Sequence, residues 1–211
     1  ERTRPEGAVL CTTSDVDETA RQALACLARG AHVVTTCENL AAPDHVRSKA
    51  VDKLRKEAAS RGLVVIATGV NPGCVMDRLP VLLSKATRGI RRVRVRRVVD
   101  AARRRAQLQT KVGVGMSLAA FEKAAEKGEI GHAGLIASLK LLGEGLGVTF
   151  EGVTETIRPL IAETASASSV LGPVQPGMIR GVYQIARGFR GGYEFASLEL
   201  TMALDEPNPG D

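Results

Sequence analysis

The sequence predicts an α/β fold: a partial Rossmann-type parallel sheet followed by an α+β domain with a mainly antiparallel sheet. Three observations carry this. Apolar runs at Ala8-Val9-Leu10, His32-Val33-Val34 and Leu63-Val64-Val65-Ile66-Ala67 alternate with stretches whose apolar residues repeat at helical spacing. Each run ends in small polar residues or glycines: Cys11-Thr12-Thr13-Ser14, Thr35-Thr36-Cys37-Glu38-Asn39 and Thr68-Gly69-Val70-Asn71-Pro72-Gly73. Past Arg91 the pattern turns to long strand-like runs interrupted by helices, with Gly191-Gly192 placed as a hairpin turn.

Taken in order, the first strand is followed by a helix whose apolar positions are Val16, Ala20, Ala23, Leu24 and Leu27, with Ser14 or Asp15 as N-cap and Gly30 as stop. After the second strand, Pro43 opens an expected helix carrying Val46, Ala50, Leu54 and Ala58 on one face and ending at Gly62. The third strand ends in the Asn-Pro turn between Gly69 and Gly73. This gives β-α-β-α-β, half of a doubly wound sheet. A short helix from Met76 to Thr87 leads to Arg91–Asp100, where Val and Arg alternate as on a half-exposed strand with a basic face. Helices at Ser117–Gly128 and from about His132 to Leu146 precede strands at Val148–Ile161, Met178–Phe189 and Tyr193–Leu204, and 207–211 reads as loop. The domains expected are 1–75, partly dinucleotide-binding, and 76–211, for substrate binding and dimerisation.

With 211 residues and 44% hydrophobic content, the chain can bury one large core or two modest ones. Trp is absent and aromatics are 3%, so that core is aliphatic. The net charge of +6 permits anionic partners without choosing among them. Cys11, Cys26, Cys37 and Cys74 lack C-x-x-C spacing and read as reduced thiols of a cytoplasmic protein; with His32, His45 and His132 forming no H-E-x-x-H pattern, no metal is expected. No run approaches the length of a membrane span.

If the three strands are parallel, their polar ends emerge on one edge, where α/β sheets bind ligands. Glu38 then lies beside Thr12, Thr13 and Asn71. A carboxylate leaving a buried strand between Cys37 and Asn39 is partly desolvated, which suits acid/base work. Thr12, Thr13 and Ser14 serve equally as helix caps or as cofactor contacts, and Asn before Pro is a turn signal anywhere. The arginines from Arg88 to Arg105 lack the interleaved aromatics that stack bases, so no nucleic acid partner is expected; Arg97, Arg104 and Arg105 suit a substrate carboxylate or a cofactor phosphate.

Several motifs together resemble one family. These are Thr36-Cys37-Glu38, Thr68-Gly69-Val70-Asn71-Pro72-Gly73 with Met76-Asp77, Arg97-Val98-Val99-Asp100-Ala101 with Arg104-Arg105, Gln109, Lys111 and Gly113, and Gly131-His132-Ala133-Gly134-Leu135 with Ser138. In that order, from about Val9 to Leu204, they are similar to the 2,4-diaminopentanoate dehydrogenase family, whose relatives include native amine dehydrogenases and dihydrodipicolinate reductase-like proteins. The resemblance implies an oxidoreductase using NADP or NAD that interconverts an amine and a ketone plus ammonia. It implies Glu38 as acid/base, cofactor contacts from Cys37, Asn71, Pro72 and Gly73 besides Thr12, Thr13 and Ser14, and substrate contacts from Arg97, Gln109 and His132. It also implies a homodimer. The family's first glycine-rich βα unit and its carboxyl-terminal segment have no counterpart here, and neither has the His-His-x-x-x-Lys motif of true dihydrodipicolinate reductases. The alternatives are a remnant serving ligand binding or dimerisation, and a related imine or carbonyl reductase.

Overall fold

Ala8, Val9 and Leu10 form the first strand, β1 (Gly7–Leu10), which stops at the polar Cys11-Thr12. The computed structural model describes residues 4–206; the loop expected at 207–211 lies outside the described residues. Helix α1 (Val16–Leu27) takes Asp15 as N-cap, the carboxylate accepting from the Glu18 N–H at 2.7 Å. Strand β2 (His32–Thr35) runs parallel to β1. Two single 3₁₀ turns follow, Glu38–Ala41 and Pro43–His45.

The helix expected from Pro43 begins instead at Lys49, as α2 (Lys49–Arg61). Val46 is extended, and the Ser48 hydroxyl accepts from the N–H groups of Ala50 and Val51. A serine that satisfies two of the four orphan N–H groups outcompetes a proline that merely tolerates a helix start. Gly62 closes α2 at φ +62°, as expected. Strand β3 (Val65–Ala67) lies parallel to β2, and helix α3 (Arg78–Ser84) follows the Asn-Pro turn.

The strands are ordered β1-β2-β3, all parallel, so the three polar ends do share one edge. Ala20, Ala23 and Leu27 of α1 pack with Val51 and Leu54 of α2 onto Val33 and Ala67. Each fully buried leucine or valine of this kind contributes about 1.5–3 kcal/mol. Only one face is covered in this way. Val9, Val34 and Ile66, opposite one another in register, are 71%, 38% and 49% exposed.

A second sheet contains β4 (Val93–Asp100), β5 (Gly152–Ile161), β8 (Ile179–Arg190) and β9 (Tyr193–Ala203) in the order β4-β9-β8-β5. Only the β4–β9 pair is parallel. Gly191 and Gly192 make the hairpin turn with φ +61° and +80°, the sign a two-residue turn between twisted strands needs. The small hairpin β6 (Ser166–Ser168) and β7 (Gly172–Val174) is not legible in the sequence, since three residues a side are too few to show a period. The intervening helices are α4 (Ala106–Lys111), α5 (Leu118–Glu126), capped by Ser117, and α6 (Leu135–Gly145).

The basic face of β4 meets acids on β9. Arg94 pairs with Glu199 at 3.2 Å, and Arg92, just before β4, with Glu194. Burial alone would raise the Glu194 carboxyl, but hydrogen bonding, Arg92 foremost, and the charges of Arg92 and Arg187 outweigh it and hold it below the usual range. Two compact units result: 4–88 with 140–148, and 89–139 with 149–206.

Candidate active site

In the first unit the end of β2 is tied to both neighbouring strand ends. Buried Cys37 receives the first link: its N–H donates to the Thr35 hydroxyl at 3.1 Å and its thiol to the Ser14 carbonyl at 3.4 Å. Glu38, half-buried, makes the second. Its Oε1 accepts from the Val70 N–H at 2.7 Å and from the Asn71 N–H at 3.4 Å. Charge-assisted bonds of this kind are the stronger ones, about 1.5–3 kcal/mol each.

This approach requires glycine at 69. A Cβ there would stand 2.3 Å from Glu38 Cγ and 2.8 Å from the Pro72 carbonyl oxygen. Gly73, at φ +126°, passes equally close to the Gly69 backbone, where a Cβ would lie 2.9 Å from the Gly69 nitrogen. The Asn71–Pro72 bond between them is cis. Asn71 is fully buried, with Nδ2 3.1 Å from the Met76 sulfur. Asp77, also fully buried, accepts from the Gly73 N–H at 2.8 Å and from the Arg78 N–H at 2.6 Å, bracing the turn and capping α3 at once. In the sequence Asp77 stands only within the Met76-Asp77 motif, with no site role attached to it. An aspartate directly before Arg78-Leu79-Pro80 is a helix-start signal that could have found it.

Thr12 and Thr13 lie at the end of β1, but their hydroxyls serve α1: Thr12 donates to Gln22, and Thr13 accepts from the Asp15 N–H at 3.0 Å. Glu38 therefore reaches Asn71 without reaching them. Asp17 and Glu18 occupy the first turn of α1, so with Asp15 three carboxylates gather at this helix start. That arrangement repels a phosphate.

The three substrate-side candidates lie in the second unit. Arg97 is half-buried on β4, opposite Leu200, which is opposite Gln184, which is opposite Ile157. These four therefore share one row on one face of the sheet. Gln109, fully buried on α4, donates to the carbonyls of Arg104 at 2.7 Å and Ala102 at 3.5 Å and so fastens the turn after β4; Arg104 and Arg105 are exposed. The Gly131 N–H donates to the Lys111 carbonyl at the end of α4. His132 follows, its N–H donating to Gln184 Oε1 at 2.8 Å and its carbonyl accepting from Gln184 Nε2 at 3.0 Å. Gln184 also donates to Glu155 at 2.8 Å. Sequence reasoning named neither Gln184 nor Glu155; a polar residue amid the apolar Val182, Ile185 and Ala186 was the signal available for the former.

Cys11 and Cys74 are exposed and all four cysteines are free. Among the described residues no helix is long and apolar enough to cross a membrane.

Comparison with known proteins agrees with this architecture. The chain is 24% identical over 204 residues to 2,4-diaminopentanoate dehydrogenase of Acetoanaerobium sticklandii, covering 94% of the chain and 55% of that protein. It superposes on the structure of an amine dehydrogenase from Mycobacterium smegmatis with a TM-score of 0.74 at 24% identity, covering 98% of the chain and 60% of that one. A UDP-N-acetylglucosamine 3-dehydrogenase from Acidithiobacillus ferrooxidans gives a TM-score of 0.52 at 14% identity over 94% and 52%. The chain thus spans little more than half the length of these relatives, all of them dehydrogenases, and has the α/β fold expected. Residues 74–205 match the 2,4-diaminopentanoate dehydrogenase C-terminal domain, and the chain belongs to that family.

Proposed function

We propose that this chain is part of an NAD(P)-dependent oxidoreductase that interconverts an amine and a ketone plus ammonia, with Glu38 as acid/base. The observation that supports this most is the carboxylate of Glu38 bound to the backbone of the Gly69–Asn71 turn, at the carboxyl edge of a parallel sheet. The relatives' names, a diamine dehydrogenase and an amine dehydrogenase, point to CH–NH₂ as the bond acted on.

The residues at this edge suit the nicotinamide half of the cofactor. Exposed Thr12, Thr36, Val70 and Cys74 offer hydroxyls and apolar surface beside the turn. They do not suit its pyrophosphate, for α1 begins with Asp15, Asp17 and Glu18. Bound there, a nicotinamide supplies the acceptor for hydride. Glu38 accepts a proton from the substrate ammonium, leaving the amine nitrogen a lone pair, and releases that proton to solvent; after oxidation to the iminium the ionised carboxylate takes a proton from the water that adds to the carbon and returns it to the carbinolamine nitrogen, which departs as ammonia and takes up the hydroxyl proton as the carbonyl forms. Its two N–H bonds fix the carboxylate's position through these transfers.

Residues 1–75 take the cofactor side of this assignment, and 76–211 take the substrate side, through Arg97, Gln109 and His132, and the dimer contact, in a cytoplasmic homodimer. The experiment is a titration of the protein with NADPH and NADH, followed by nicotinamide fluorescence, then an amine panel with NADP⁺ and NAD⁺. Saturable binding, weakened in Asn71→Ala, with amine-dependent reduction of one nucleotide is the expected result. Reduction of NAD(P)⁺ with alcohols and none with amines, or oxidation of NAD(P)H by imines with no amine-dependent reverse reaction, would overturn it.

A further inference from the structure

We propose that Asp77 is a positioning residue for Glu38: by holding the Gly73 N–H it fixes the turn whose Val70 and Asn71 N–H groups hold the Glu38 carboxylate. The role rests on the reading of Glu38 as acid/base.

Asp77 is more than the start of α3 requires. Its Oδ1 accepts from the Arg78 N–H at 2.6 Å, at that helix start, and its Oδ2 accepts from the Gly73 N–H at 2.8 Å. A serine or threonine hydroxyl would serve the first bond, as at ordinary helix starts. A carboxylate is needed to present a separate oxygen to each N–H. Burying it costs far more than burying a hydroxyl. Asp77 is nonetheless fully buried, and among the described residues no arginine, lysine or histidine forms an ion pair with it. What the carboxylate adds over a simple cap is the bond to Gly73, and that bond acts on the turn.

Close approaches carry this hold from Gly73 to Glu38. Gly73 stands so near Gly69 that a Cβ on it would lie 2.9 Å from the Gly69 nitrogen and 3.1 Å from the Gly69 carbonyl oxygen. Gly69 in turn lies against the Glu38 stem, where a Cβ would be 2.3 Å from Cγ and 2.9 Å from Cβ. No flexible side chain stands between these parts to absorb a shift. The Val75 N–H also donates to the Val70 carbonyl at 2.8 Å, tying the reactive edge of the turn to the segment that leads into Asp77. Releasing Gly73 therefore moves the two N–H groups that hold Glu38. A misplacement of about 1 Å at a reacting group can cost about 10²-fold in rate.

Amide hydrogen exchange followed by NMR compares the parent protein with Asp77→Asn and with Ser48→Ala, which removes the cap of α2 instead. Asp77→Asn should speed exchange at Gly73 and Val70 at least about tenfold more than Ser48→Ala does. A residue that only caps α3 would speed the α3 amides and leave Val70 alone. Asp77→Ser keeps a capping oxygen but falls short of Gly73, and should act like Asp77→Asn. In amine-dependent NAD(P)⁺ reduction, Asp77→Asn should lower kcat about 10–10²-fold in the parent and no more than about twofold in Glu38→Gln, since the two residues act as one unit. Equal factors in both backgrounds, or unchanged Val70 exchange in the Asp77 variants, would overturn the proposal. In the parent alone, Gly73 and Val70 should open together, with protection within about threefold of each other. A wider spread would overturn the proposal even where the Asp77 variants fold poorly. Full turnover in Glu38→Gln is a separate result, which overturns the acid/base reading whatever the exchange shows.

Discussion

Glu38 and Gly69 occupy each other's space: the stem of the carboxylate lies where a side chain at 69 would be. Gly69→Ala must therefore displace either the Glu38 stem or the Pro72 carbonyl. We expect a loss of about 1–3 kcal/mol, the usual cost of forcing a methyl into a filled space, seen as a lower urea midpoint with an unchanged slope. An unchanged midpoint would show that the turn yields freely. Glu155 carries a second prediction at this scale. Its folded-state pKa is raised above the usual 4.5, so the folded protein holds that proton more tightly than the unfolded chain. Its contribution to stability is present in full below that usual value and is lost as pH rises through the raised one. Glu155→Gln should therefore gain on the parent protein as pH rises above about 4.5 in paired urea titrations. A difference independent of pH would contradict it.

Among the elements, α2 shows what periodicity leaves undecided. Val46, Ala50, Leu54 and Ala58 keep helical spacing, but Val46 reaches the core from an extended residue and Ser48 sets the helix start. Ser48→Ala should cost about 1 kcal/mol, measured by thermal or urea unfolding, whereas Pro43→Ala should cost much less. The reverse order would place the start where the spacing alone put it. Strands β1 to β3 were legible because apolar runs ended in small polar residues, and the β8–β9 hairpin because two glycines interrupted two long strands. The β6–β7 hairpin, three residues a side, left no such trace. The row Val9, Val34 and Ile66 is apolar yet exposed, although parallel sheets normally cover both faces. An environment-sensitive apolar dye should bind the protein there and bind less well to Val34→Thr/Ile66→Thr, with stability changed by no more than about 0.5–1 kcal/mol. Undiminished dye binding would place the apolar surface elsewhere.

For the molecule as a whole, the parallel sheet and the mainly antiparallel sheet could both be read from sequence, as could the family. Much of the site could not. Sequence left Thr12 and Thr13 equally as helix caps or cofactor contacts; in space the Thr12 hydroxyl donates to Gln22 and the Thr13 hydroxyl accepts from the Asp15 N–H, both within the start of α1. The Gln184 clamp on His132 joins residues 52 positions apart, which no local pattern reports. The contact of Glu38 with the Asn-Pro turn spans a comparable 32 and 33 positions and was reached only because three parallel strands must end on one edge. The most direct test of the account is the turnover of Glu38→Gln in amine-dependent NAD(P)⁺ reduction, measured beside its affinity for the reduced nucleotide. A fall of about 10²–10⁴-fold in kcat with nucleotide affinity retained is the expected result. Full turnover in Glu38→Gln would contradict it.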